Sequence, residues 1–312
     1  MEEGGDSICV QRIGEHLPID EDAEEIELHL SRIRCIENLE SCVNLKKLCL
    51  VSNVIEKIEN LGNNLALEHL DLYQNKITVI ENINHLTNLK ILDLSFNHVS
   101  KIENIDALVK LEELYLSNNH IKKIENVSQF TQLKLLEVGS NKISNYGEVE
   151  YLKSLTALWM GKNRLTTMDL PSLPDLQKCS LQNNRIREWD ANVLENCPNL
   201  EEFYLSYNHL TEIPQFITLM PKLTILDLGN NQISKIDIGE INSTIEELWL
   251  NDNAIEDEKE VNVLKKLGNL KVLYLERNPI QYKLGPSYRN RILDILPNLK
   301  QLDAVSLENR TY

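Results

Sequence analysis

Apolar positions in this chain recur at a fixed step. In the stretch Leu111 to Asn126, LEELYLSNNHIKKIEN, leucine or isoleucine stands at 111, 114, 116, 121 and 124, and Asn119 holds the one polar slot between the two apolar groups. The same frame, LxxLxLxxNxIxxIEN, returns along the sequence, and its closing IEN begins at Ile36, Ile58, Ile80, Ile102 and Ile124, 22 residues apart each time. Each LxL core predicts a short strand. Alternation turns the two leucines inward and the residue between them outward. The inward pairs are Leu48 and Leu50, Leu70 and Leu72, Leu92 and Leu94, Leu114 and Leu116, then Leu136 and Val138.

A period between 20 and 29 residues with this leucine spacing is that of a leucine-rich repeat, so the fold class is an α/β repeat. We expect a horseshoe solenoid of about 12 coils with a parallel concave sheet and a C-terminal helical cap. The Asn that follows each strand falls at 53, 75, 97, 119, 141, 163, 184, 208, 231, 253 and 278. An inward amide there can donate to and accept from the backbone of adjacent coils. The step is irregular after Asn163, where MDLPSLPDLQ and WDANVLENCPNL replace the IEN edge. Residues 1–22 read as a flexible acidic lead-in, 23–285 as the array, and 286–312 as a cap in which Ile292, Leu293, Leu296, Leu299 and Leu302 cover the last coil.

Composition narrows the class. Hydrophobic residues form 42% of the chain, enough for a stacked core, yet no apolar run approaches the roughly 20 residues of a membrane span. The opening MEEGGDSICV lacks the basic and apolar regions of a secretory signal. The six cysteines show no metal-ligand spacing and no terminal clusters, which suits reduced thiols inside a cell. The sequons at Asn126, Asn242 and Asn309 are then chance matches. With 48 acidic and 32 basic residues the formal net charge is -16, which argues against nucleic acid and for a basic protein surface as partner.

The between-leucine slot carries the functional information. Read from coil to coil it gives Cys49, Asp71, Asp93, Tyr115, Glu137, Trp159, Ser180, Tyr204, Asp227, Trp249 and Tyr274. Aromatics are 5% of the chain, yet five stand in this row with four acids, as expected of a protein interface. At about 4.8 Å per strand the row would extend over about 50 Å. Tyr73, Phe96, Tyr207, Glu247, Asp252 and Glu276 flank it, whereas Trp189, three residues after the core-facing Ile186, is expected to be buried. His98 and His120 follow ladder asparagines and lack the carboxylate partner of a metal site. There is no phosphate-binding loop, dinucleotide fingerprint or nucleophile elbow, so we expect no enzyme, cofactor or metal.

Several strings go beyond a generic repeat: LEHLDLYQNKI, LKILDLSFN, LLEVGSNKI, WMGKN, FYLSYN, LTILDLGNN, ELWLNDN, and LYLERNPIQ followed by YRNRILDILPNLKQLD. Over about Glu24 to Asp303 the chain resembles the leucine-rich-repeat regulatory subunit of protein phosphatase 1. The resemblance implies a non-catalytic subunit in nucleus and cytoplasm. It would be a monomer alone, holding the phosphatase catalytic subunit with room for a third subunit. It also implies contacts at Asp93, Tyr115, Glu137, Trp159, Asp227, Glu247, Trp249 and Tyr274; Tyr204 joins them from the row itself. The family has Phe where this chain has Tyr115 and Trp159. A general scaffold for a cytoskeletal or ciliary complex would share the fold, as would an acidic histone-binding repeat protein, though VSLENRTY at the end is no acidic tail.

Overall fold

In a computed structural model, residues 10–239 and 243–307 are described, and the chain is a leucine-rich-repeat solenoid. It divides into two compact units, Met1–Leu152 and Lys153–Tyr312. The first carries six strands of three residues: β1 Glu25–Glu27, β2 Lys47–Cys49, β3 His69–Asp71, β4 Ile91–Asp93, β5 Glu113–Tyr115 and β6 Leu135–Glu137. Each pairs in parallel with the next in the register the repeat sets, Leu48 beside Leu70, Leu70 beside Leu92, and Leu92 beside Leu114. The inward strand leucines Leu48, Leu70, Leu92, Leu114 and Leu136 are fully buried.

The second unit carries β7 Ala157–Trp159, β8 Lys178–Ser180, β9 Glu202–Tyr204, β11 Ile225–Asp227, β13 Glu247–Trp249 and β14 Val272–Tyr274 as parallel neighbours. A second pair, β10 Glu212–Ile213 and β12 Lys235–Ile236, lies apart from them. The irregular coils place their extra residues in turns and in the short helices α1 Val193–Asn196 and α2 Glu258–Val263.

The asparagine ladder forms as the spacing predicts. Asn119 is typical: its Oδ1 accepts from Val99 N at 2.9 Å, and its Nδ2 donates to Leu94 O at 2.9 Å and Leu116 O at 3.0 Å. The residue before each ladder Asn has positive φ, and this left-handed step is what lets the chain leave the strand. In most coils it is polar, but Phe96 and Tyr207 also occupy it, both exposed.

A second ladder was not anticipated. Asn38, Asn60, Asn82, Asn104 and Asn126, the closing letters of IEN, all have φ near +60°. Their Nδ2 groups donate to the carbonyls of Ile13, Ile36, Ile58, Ile80 and Ile102. Asn tolerates this conformation better than other side chains. In the next coil Gly147 takes the left-handed step with φ +54°, where a Cβ would stand 2.1 Å from Ile124 O, and that carbonyl accepts from Glu148 N at 3.1 Å instead of from a side-chain amide.

The ends close differently from expectation. Residues 1–9, with Cys9, lie outside the described residues, as do Asn242 and Asn309. Residues 10–22, part of the expected flexible lead-in, are set against the first coil: Ile13 is fully buried and the Arg12 guanidinium grips Glu37 at 2.8 and 2.9 Å. At the other end α3 Pro279–Leu284 leads to α4 Tyr288–Ile295, then to the antiparallel pair β15 Gln301–Leu302 and β16 Val305–Ser306. Ile292, Ile295, Leu296, Leu299 and Leu302 are buried, while Leu293 is only half-buried, so Ile295 takes the covering place assigned to it. Asp303 supplies the last rung, accepting from Leu275 N and Glu276 N at 2.8 and 2.9 Å.

Candidate functional site

In each unit the between-leucine residues point away from the core and stand side by side. On the first unit Asp71, Asp93, Tyr115 and Glu137 are register neighbours. Asp71 and Asp93 each accept the backbone N–H two residues on, from Tyr73 at 3.0 Å and Ser95 at 2.7 Å. Burial disfavours the charged form of Asp93 and pushes its pKa up to about 6, against the pull of the Ser95 hydrogen bonds. Tyr115 donates to Glu113 Oε2 at 2.7 Å, and Ser117 donates to Glu137 Oε1 at 2.8 Å. Cys49, expected in the outward row, is buried and donates to Asp71 at 3.3 Å; burial raises its thiol to about 12, so it stays protonated.

On the second unit the register runs Trp159, Ser180, Tyr204, Asp227, Trp249, Tyr274. Two aromatic pairs result. Trp159 and Tyr204 have ring centroids 6.1 Å apart across Ser180, which is buried with its Oγ unpaired. Trp249 and Tyr274 approach to 5.3 Å, tilted by 59°. Three of the four rings have a polar atom tied down: Tyr204 donates to Glu202 at 2.8 Å, Trp249 Nε1 donates to Glu247 at 2.7 Å, and Tyr274 accepts from Gln301 at 2.7 Å. Held rotamers lose less entropy when a partner arrives.

Three expectations are corrected here. Asp227 is 4% exposed, and its carboxylate accepts from Gly229 N at 2.9 Å. Burial raises its pKa, and the free protein presents no open acid there. Asp252 and Glu276 are already held by Arg277, at 2.7 and 2.6 Å, so neither offers a free charge beside the row. Trp189 is half-buried, with its Nε1 donating to Glu212 O at 2.7 Å and its ring edge-on to Phe216.

Of the pinning carboxylates Glu247 was expected beside the row, while Glu113 and Glu202 were not, yet they carried a signal. Glu113, Glu202 and Glu247 each stand two residues before an aromatic of the row, so strand alternation puts both on one face. His98 and His120 stack at 5.8 Å, and no group of three or more metal-ligating side chains exists among the described residues.

A family model described as "Leucine Rich repeats (2 copies)" matches residues 66–107, 109–151 and 198–240. The chain is 33% identical over 147 residues, 44% of its length, to a protein phosphatase 1 regulatory inhibitor subunit homolog from Arabidopsis thaliana, of which this covers 39%. It is 30% identical over 116 residues to tubulin-specific chaperone E of Danio rerio, covering 27% of this chain and 22% of that one. The chain thus spans well under half the length of these curated relatives. Among solved structures, an internalin from Listeria monocytogenes superposes with a TM-score of 0.72 at 25% identity, covering 92% of this chain and 88% of the internalin.

Proposed function

We propose that this leucine-rich-repeat chain, a non-catalytic scaffold for protein–protein interaction, is a regulatory subunit that holds the catalytic subunit of protein phosphatase 1 in the nucleus and cytoplasm. The observation that carries the reading is the set of aromatics fixed on the outward strand faces, Tyr115 on one unit and Trp159, Tyr204, Trp249 and Tyr274 on the other. Large rings already held in place, Tyr115, Tyr204, Trp249 and Tyr274 by hydrogen bonds and Trp159 against Tyr204, are what interface anchors require. Glu137, Glu247 and Asp93 border them and would meet Arg or Lys of the phosphatase, while Asp227 acts from beneath by holding the Gly229 turn. The Arabidopsis relative and the strings quoted above direct the choice of partner.

Calorimetric titration with the phosphatase catalytic subunit tests this. Trp249→Ala removes a central anchor at a cost of about 2–4 kcal/mol of binding, with the thermal melt unchanged. Binding as tight as wild type would sink the assignment. The similarity to tubulin-specific chaperone E supports a second reading, a scaffold for a cytoskeletal assembly. A pull-down that returns cytoskeletal proteins and no phosphatase would favour it.

A further inference from the structure

The protein is acidic overall, but one row of its first unit carries no acid. Five positions after Asp71, Asp93, Tyr115 and Glu137, the chain places Lys76, His98, His120 and Lys142. Each of these four donates its backbone N–H to the preceding coil in the same way, to Ile55, Ile77, Val99 and Ile121 O at 2.8 Å. They therefore form one row, one residue per coil. The imidazoles of His98 and His120 lie 5.8 Å apart and nearly parallel. Over 76–80, 98–102, 120–124 and 142–147 there is no carboxylate, and Lys122 and Lys123 add positive charge; Glu81, Glu103, Glu125 and Glu148 follow directly, and Glu103 pairs with Lys101 at 3.6 Å.

These cations are uncommitted. The lysines that enter the strands of this unit, Lys46, Lys90 and Lys134, are matched by Glu24, Glu68 and Glu112 at 2.6–2.8 Å. Among the described residues, Lys76, Lys122, Lys123 and Lys142 have no ion pair. Lys76 and Lys142 at the ends of the row, with Lys122 and Lys123 beside it, are thus open to an anion from outside.

We propose that this turn edge is a docking ledge for an acidic peptide segment of a partner, separate from the aromatic strand faces. Four coils at about 4.8 Å span about 14 Å, the reach of four or five extended residues. Carboxylates along such a segment would meet Lys76 and Lys142 at its ends and the histidine N–H groups between them. The acids of the strand face, five positions before this row, oppose nucleic acid.

Titration of the full chain with capped hexaglutamate, followed by NMR, tests the ledge. Hexaglutamate is expected to shift the imidazole proton resonances of both His98 and His120. Binding is expected to weaken at least tenfold in the Lys76→Glu/Lys142→Glu variant, whose circular dichroism should match wild type, and in the milder Lys76→Gln/Lys142→Gln variant to weaken less. Unmoved histidine resonances, or undiminished affinity in both variants, would overturn the proposal. Tighter binding of a single-stranded RNA 12-mer than of hexaglutamate would overturn the assignment to a peptide.

Discussion

Replacing Asn119 by leucine conserves size and removes every polar contact of one ladder rung. In the native chain its amide satisfies Val99 N at 2.9 Å, Leu94 O at 2.9 Å and Leu116 O at 3.0 Å, all in a site with 4% exposure. The orphaned N–H costs about 1–3 kcal/mol, and each carbonyl loses a hydrogen bond worth about 0.5–1.5 kcal/mol net. The expected destabilisation is therefore about 2–6 kcal/mol. Because coils of a repeat array can open separately, the global number alone would blur the effect. Urea denaturation followed by far-ultraviolet circular dichroism gives the total, and hydrogen exchange at the Val99 amide gives the local loss. Protection at Val99 should fall by more than at amides several coils away. A change under about 0.5 kcal/mol with Val99 still protected would refute the view that the ladder holds coils together through the asparagine amide.

Two further outcomes follow from the same structure. Asp93 has a folded pKa of about 6, above the ordinary 3.8, so the folded chain holds its proton more tightly than the unfolded chain does. Its charge thus opposes folding increasingly as pH rises from about 4 to about 6, and fully above that. Asp93→Asn, which keeps an acceptor for Ser95 N, should stabilise the protein at pH 7.5 by about 1–3 kcal/mol and make no difference near pH 4, as read by urea midpoints at both pH values. Gly147→Ala should destabilise by about 1–3 kcal/mol, since it combines a left-handed backbone with a Cβ 2.1 Å from Ile124 O; a melt equal to wild type would show that the turn can relax.

The parts of the fold legible in the sequence were those the repeat writes many times. Strand positions, the inward leucines and the first asparagine ladder follow from a constant step and from alternation. The second ladder was equally periodic, but the IEN asparagine sits at a coil edge, and without coordinates its left-handed backbone and its bond to the previous coil look like solvated polarity. The aromatic row was legible because outward strand positions are fixed by their neighbours. Its electrostatics were not. Whether an acid is open, buried like Asp227 or occupied by Arg277 like Asp252 depends on the depth of the strand end and on a side chain 25 residues away. The contacts of residues 10–22 were not legible because a single buried Ile13 and one guanidinium contact leave no periodic trace.

Each ladder amide reaches backward. Asn119 completes groups at 94 and 99, and Asn75 completes groups at 50 and 55. A coil leaving the ribosome is therefore unfinished until the Asn of the following coil has also emerged. Each such coil depends on its C-terminal neighbour for its polar closure. Asp303, an acceptor in place of an amide, completes the groups at 275 and 276 in the same backward sense.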